Sequence, residues 1–423
     1  MAIAHDTAVM AAPNATSGRI RLCNVDGERF APLEFAAEPS QDVDTSTHTW
    51  GNYFLCGYKG VFEHCARVGV EAPAAVGLDV CVHGLVPAGA GVSSSSALVV
   101  ASALAVMAAH GLDFPKVQLA ELARVCEQHI GTMSGGMDQA ISVLGQRGQA
   151  KLVEFNPVRA SPVSLPAGHT FVIANCLAVS EKAVSAATQY NYRVVECRLA
   201  AAALAVAAGE APAKAAAEVA TLQSAERYYG GREGAVAAVE QVLKDGASSA
   251  AAAAEAVGVP LAEVFAGASA AAQDVLAHAD AFRLRERARH VYSEARRVED
   301  FKAACDAGGA PAELAAKLGA LMDASHASCA GDYDCSCPEL QELVGVCKAA
   351  GAIGSRLTGA GWGGCTVSLV EDTKVDAFIA RVRDDFYAKR VSAGTADGAR
   401  LGEYVFATRP CPGAALLTAK ALR

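Results

Sequence analysis

The chain has 423 residues, 52% of them hydrophobic and only 19% charged, enough length for two domains or one large one with a sizeable core. Its mean hydropathy of +0.23 comes largely from alanine, as in Ala250–Ala254; no run of roughly 20 large apolar side chains occurs, which excludes a transmembrane helix. With 36 Lys+Arg against 45 Asp+Glu, net −9, a general nucleic-acid binder is also excluded, because tracking phosphates needs a basic excess. No secretory leader is read in Met1–Ala12, where His5 and Asp6 sit and a basic start is absent. The 14 cysteines are therefore expected as reduced thiols of a cytoplasmic, soluble protein.

In chain order, Thr7–Met10 reads as a short strand and Pro13-Asn14 as a turn. Gly18–Val25 alternates Ile20 and Leu22 with Arg19 and Arg21, as a half-buried strand does. Pro39–Thr49 is polar and loop-like, and Trp50–His64 repeats large apolar residues at helical spacing. Gly77–Gly84 is a strand leading to a glycine-serine loop and the apolar helix Leu98–His110. Val117–Ile130 and Met137–Leu144 read as helices, Ala150–Phe155 and Thr170–Cys176 as strands, and Lys182 to about Gly209 as a long helix. Ala200–Ala279 is rich in alanine and fits packed helices. Arg283, Arg285, Arg287, Arg289, Arg296 and Arg297 alternate with Glu286, Glu294 and Glu299 and read as a solvated helix face. His326, Cys329, Cys335 and Cys337 cluster, but their spacing does not match a zinc site. Gly354–Val370 is glycine-dense and runs into a strand, and Lys374–Lys389 is helical. The fold class is mixed α/β (α+β).

Three segments carry chemistry. The first, Pro87-Ala-Gly-Ala-Gly-Val-Ser-Ser-Ser-Ser-Ala97, joins a strand to a helix. Gly89 and Gly91 let the backbone approach a ligand, and Ser93, Ser94, Ser95 and Ser96 can cap a helix whose free N–H groups and dipole favour an anion. It is an anion site suited to a polyphosphate, or else an ordinary capped helix after a flexible turn; it is not a Walker A loop. The second, Glu127 to Gln139, puts Gly135 and Gly136 before Asp138 at a helix start, where the dipole keeps the carboxylate ionised. Asp138 can then take a proton from a substrate hydroxyl, and Glu127 can offer a hard oxygen to Mg²⁺; the alternatives are a helix cap and a surface carboxylate. The third, Ser355 to Cys365, holds Thr358, Gly359, Ala360, Gly361, Gly363 and Gly364, and is a second anion nest or a close-packing site.

PAGAGVSSSSA and SRLTGAGWGGC resemble the second and third motifs of the GHMP small-molecule kinases, with GGMDQ between them. CGYKGVFEH, EQHIGTMSGGMDQAIS, FNPVRA, QYNYRVVECRLA, RARHVYSEARRV and YDCSCPEL resemble galactokinases, in particular a plant-type branch that is also similar to N-acetylgalactosamine kinases. The resemblance covers nearly the whole chain and is weakest over Ala211–Ala279. It implies a two-domain GHMP kinase fold, residues 1–167 and 168–423, with ATP and sugar in the cleft between domains. It also implies transfer of the ATP γ-phosphoryl group to the anomeric hydroxyl of galactose, giving galactose 1-phosphate and ADP.

By that resemblance Ser95 and Glu127 hold Mg²⁺, while Pro87, Gly89, Gly91 and the serines Ser93–Ser96 cradle ATP phosphates. Asp138 is the catalytic base and, with Gly135, Gly136 and Tyr190, meets the sugar; Trp50 belongs to the nucleotide pocket. The partners implied are ATP and a small sugar, with no nucleic acid or membrane, and a monomer is expected. Galactokinases carry a first motif, Gly-Arg-Val-Asn-Leu-Ile-Gly-Glu-His-x-Asp-Tyr, supplying an arginine and the sugar clamp. Met1–Val9 resembles the strand after it, so a chain truncated before this motif, and impaired, is expected. The alternatives are an N-acetylgalactosamine kinase and a non-catalytic nucleotide- or sugar-binding relative; Tyr190 leans the reading toward galactose.

Overall fold

Ile20 and Leu22 are fully buried while Arg19 and Arg21 lie exposed, so the alternation in the sequence is the alternation of a sheet with one covered face. The computed structural model describes residues 1–131, 135–154, 158–178, 189–267 and 270–417. They fall into two compact units, Met1–Asn175 with Glu371–Arg423, and Cys176–Val370.

In the first unit, strands β1 (Thr7–Asn14), β2 (Arg19–Asn24), β3 (Leu33–Ala36) and β4 (Gly77–Gly84) form a sheet in the order β1-β4-β2-β3. Strand β4 runs antiparallel to β1 and parallel to β2. Strand β1 extends past the turn expected at Pro13-Asn14: Pro13 pairs with Leu78, which a proline can do because β1 is an edge strand and needs no N–H on its outer side. Helices α1 (Trp50–Val68), α2 (Ser94–Ala109), α3 (Lys116–Cys126) and α4 (Met137–Leu144) bury Phe54, Tyr58, Val99, Val106 and Leu122 in one core with Ile20 and Leu78. Glycines set how closely α1 approaches its neighbours. A Cβ at Gly60 would lie 2.4 Å from Cys126 Cβ, and one at Gly57 2.8 Å from Ser102 Cβ.

A hairpin of β5 (Ala150–Glu154) and β6 (Arg159–Val163) precedes β7 (His169–Asn175). The last stretch of the chain, Glu371–Arg423, belongs to the same compact unit as these strands. The strand Val405–Thr408 pairs antiparallel with β7. Asp372 accepts from Thr170 Oγ1 and from Arg409 Nη2, each at 2.6 Å, and Gly413 N donates to Gly145 O at 2.9 Å. These partners are distant in sequence, and no local pattern announces them.

The second unit is mostly helical. The helix Tyr190–Ala207 buries every residue from Leu199 to Ala205, so the alanine-rich stretch is enclosed on all sides; the residues expected to lead into it, 182–188, lie outside the described ones. The helix Leu284–Ala307 corrects the solvated-face reading at Arg287, while Arg283 and Arg296 are exposed as that reading expects. Arg287 is 2% exposed; its Nε donates to Glu196 Oε2 at 2.8 Å and its Nη1 to Asp332 O at 2.6 Å. Glu196, itself fully buried, also receives Arg193 Nη1 at 3.1 Å and Arg283 N at 2.7 Å. Alternating charge reveals that pairs form; it cannot reveal that their partner is a carboxylate on another helix. Strands Gly354–Leu357 and Cys365–Glu371 form an antiparallel hairpin. Among the described residues no helix is long and apolar enough to cross a membrane.

Candidate active site

The strand β4 ends at Gly84, and the chain turns through Pro87–Ser93 into α2. Gly89 and Gly91 both take φ of +69°, as the sharp reversal requires, and Ser93 follows at +66°. The serines do not cap the helix as expected: Ser93 stands at the N-cap position without a capping side-chain bond. Successive helical residues point about 100° apart, from 3.6 residues per turn, so four serines in a row cannot all face one partner. Ser93, Ser94 and Ser95 are half-buried and Ser96 is buried at 2% exposure. The N-terminus of α2, with its positive dipole end, thus follows directly on the glycine loop, which is the arrangement that attracts phosphate.

Ser95 and Ser96 both turn toward Glu127, which follows α3 in a short 3₁₀ turn, Glu127–Ile130, and is 5% exposed. Ser95 Oγ donates to Glu127 Oε1 and Ser96 Oγ to Glu127 Oε2, each at 2.8 Å. Gln139 Nε2 donates to the same Oε2 at 2.5 Å. Ser96 therefore departs from the phosphate-cradling expectation, its hydroxyl being buried on the carboxylate. Burial, reinforced by the Glu127 charge, pushes the Tyr53 hydroxyl and the Cys56 thiol up to about 12. Burial likewise raises the Cys126 thiol.

A hydroxyl and a carboxylate oxygen side by side are a fitting donor set for Mg²⁺, which prefers hard oxygens, takes one or two from protein, and completes its shell with phosphates and water. Among the described residues no three His, Cys, Asp or Glu side chains gather as metal ligands; this includes the His326–Cys337 cluster.

Asp138 is the second residue of α4 and half-buried, with its carboxylate in the first helical turn, where the helix dipole favours negative charge. Because the next residue, Gln139, bonds Glu127, the helix that carries Asp138 is tied to the serine–glutamate cluster. Gly136 stands before α4 with φ of +93°, and a Cβ there would lie 2.4 Å from Arg124 Cδ, so it packs on that side chain's stem. Gly135 is exposed. Trp50 opens α1; its Nε1 donates to Ala31 O at 3.0 Å and its ring meets Phe30 edge-on at 6.3 Å.

In the second unit Tyr190 is the first residue of its helix and half-buried. The loop Thr358–Gly364 joins the two strands of the hairpin. Three of its amides serve backbone carbonyls: Thr358 N to Cys365 O at 2.9 Å, Trp362 N to Cys335 O at 2.7 Å, and Gly364 N to Ala178 O at 3.1 Å. A Cβ at Gly361 would come within 1.9 Å of Cys335 O. Of the two readings of this loop, these bonds favour close packing over an anion nest. Two residues escaped the sequence reading, Ser96 as a carboxylate donor and Gln139. Both sit one residue after a chemically obvious one, and neighbour identity carries no signal of direction.

The chain matches the family model described as GHMP kinases N terminal domain over residues 52–146, and GHMP kinases C terminal over residues 310–388. It is 35% identical over 437 residues to a galactokinase of Dictyostelium discoideum, covering 99% of this chain and 85% of that relative. It is 34% identical over 445 residues to a galactokinase of Saccharomyces cerevisiae, covering 95% and 84%. Among solved structures, the Lactococcus lactis galactokinase complexed with galactose matches with a TM-score of 0.70 at 22% identity, covering 97% of this chain and 87% of that one. A mevalonate kinase matches with a TM-score of 0.51 at 13% identity, covering 97% and 91%. The structural likeness establishes the fold, a GHMP kinase fold with N- and C-terminal domains, and the sequence identity establishes the family within it: the chain belongs to the galactokinases.

Proposed function

We propose that this protein is an ATP-dependent sugar 1-kinase acting on galactose, releasing galactose 1-phosphate and ADP. Supporting this reading are its galactokinase relatives, similar over nearly its whole length, and above all the Ser95–Glu127 pair tied through Gln139 to the helix of Asp138. The sugar's C1 oxygen attacks the γ-phosphorus while the bond from that phosphorus to the ADP oxygen breaks. Asp138 accepts the hydroxyl proton as the new bond forms, so no free alkoxide is needed. Phosphoryl transfer asks mainly for positioning and charge neutralisation. The glycine loop and the N-terminus of α2 orient the phosphates in this reading, with Ser95 and Glu127 as the oxygens that would hold Mg²⁺. When bound, Mg²⁺ would neutralise charge on the phosphate oxygens. We assign Trp50 to the nucleotide side and Tyr190 to the sugar.

The test is release of ADP by the protein purified from its source, with galactose, with N-acetylgalactosamine and without sugar. Galactose-dependent release matched by galactose 1-phosphate is the expected result. Equal turnover of both sugars overturns the galactose preference, and saturable ATP binding without turnover of either overturns the kinase reading. Asp138→Ala should lower kcat by about 10²- to 10⁴-fold, the usual worth of a general base, while nucleotide affinity holds. A variant within twofold of wild type would remove Asp138 from that role.

A further inference from the structure

Glu127 is almost wholly enclosed, yet its two oxygens have different surroundings. Oε1 receives the hydroxyl of Ser95, half-buried at the start of α2. Oε2 receives two donors from inside the unit, Ser96 Oγ at 2.8 Å and Gln139 Nε2 at 2.5 Å, and Gln139 has no exposed surface at all. A carboxylate turns readily about its last torsion, whose wells are broad and two-fold. Donors fixed in the interior, as Ser96 and Gln139 are, remove that freedom. Hydrogen bonds to an ionised acceptor are about twice as strong as neutral ones, so two of them on Oε2 hold the group in one orientation.

The pattern repeats at two helix starts. In α2, Ser95 is followed by Ser96, and in α4, Asp138 is followed by Gln139. In each pair the first residue is half-buried and is the one assigned to the reactants, and the second is buried with its side chain on Glu127 Oε2. An amide is the suitable donor at position 139: it brings an N–H to a buried carboxylate without a second negative charge, which a glutamate there would add.

We infer that Gln139 is a positioning residue, with Ser96 as its weaker companion: it holds Glu127 Oε2 so that Oε1 stays beside Ser95 for a divalent cation. This rests on the reading of Ser95 and Glu127 as the cation's protein oxygens. Partners one bond removed from a metal ligand commonly change metal affinity 10- to 100-fold.

The test counts free Mn²⁺ by its electron paramagnetic resonance signal in ADP-loaded protein, beside galactose affinity by calorimetry. Gln139→Met, which keeps the bulk and removes the donor, should weaken Mn²⁺ binding about tenfold and leave galactose affinity within twofold; Ser96→Ala should lose less, in the same direction. Glu127→Gln serves as the reference. If Glu127→Gln weakens Mn²⁺ binding while Gln139→Met and Ser96→Ala do not, the positioning role is overturned and the cation pair stands. If Glu127→Gln itself leaves Mn²⁺ binding unchanged, the cation pair is the reading that fails. Parallel losses of Mn²⁺ and galactose affinity in Gln139→Met would mark a general packing role and also overturn the inference. Should Gln139→Met not fold, Ser96→Ala decides the same question.

Discussion

Direction separates the four serines from one another. Ser95 and Ser96 are adjacent and chemically identical, yet one hydroxyl stays at the half-buried rim of the loop while the other is enclosed. The difference makes a prediction at the scale of one atom. Ser95→Ala removes a hydroxyl donor assigned to the cation and should weaken the Mg²⁺–ATP complex about tenfold, on the order of 1.4 kcal/mol, with galactose affinity little changed. Titration of each ligand separately checks it, and a larger loss of sugar than of nucleotide would reverse the assignment. Ser95, Glu127 and Asp138 can be proposed from the sequence because their chemistry is distinctive and their glycine surroundings unusual. The orientation of Ser96 and the part played by Gln139 were not, since a serine or glutamine one position on is equally at home on a solvated helix turn.

At the scale of the element, close approach is written in glycine. Helix α1 rests against Cys126, the residue before Glu127, through Gly60. Gly60→Ala would force a methyl to within 2.4 Å of Cys126 Cβ, and overpacking of this kind costs about 1–3 kcal/mol. The expected result is a lower denaturant midpoint at unchanged slope. Gly345 gives the contrast: it lies exposed inside the helix Pro338–Ala349, and a Cβ there would meet nothing within 4 Å. Gly345→Ala should therefore stabilise by about 0.5–1 kcal/mol through helix propensity, and a fall in the midpoint would refute that reading. Helix α1 was visible as large apolar residues at helical spacing, α2 as a continuous apolar run, and β2 as alternation. The arginine-rich helix was misread because Glu196, the group that draws Arg287 inward, lies on a different helix.

For the whole molecule, stability should depend on pH through a buried imidazole in the second unit. His290 is 7% exposed; its Nδ1 pairs with Ser328 Oγ at 2.9 Å and its ring stacks on Tyr333 at 4.3 Å. Burial is the main cause that brings its pKa down from 6.5 to about 4, with Glu294 and Asp332 opposing and Arg297 and Arg356 assisting. As pH falls from 6.5 toward 4 the unfolded chain takes up a proton that the folded chain refuses, so the folded state loses ground, by up to about 3 kcal/mol. Unfolding midpoints at pH 7 and pH 4.5 should show this loss in wild type and less of it in His290→Asn; equal losses in both would rule His290 out as the source. By itself the sequence determined the mixed α/β class, several of the longer elements and the family, and it marked the glycine-bounded segments to which the chemistry is assigned, because periodicity and motif spacing are local properties of a chain. Only the tertiary structure decided that Glu371–Arg423 rejoins the first unit, that Arg287 is buried on Glu196, and that Ser96 and Gln139 face Glu127. Each of these is a contact between residues far apart in sequence, and which side chain a buried carboxylate meets is set by how helices pack.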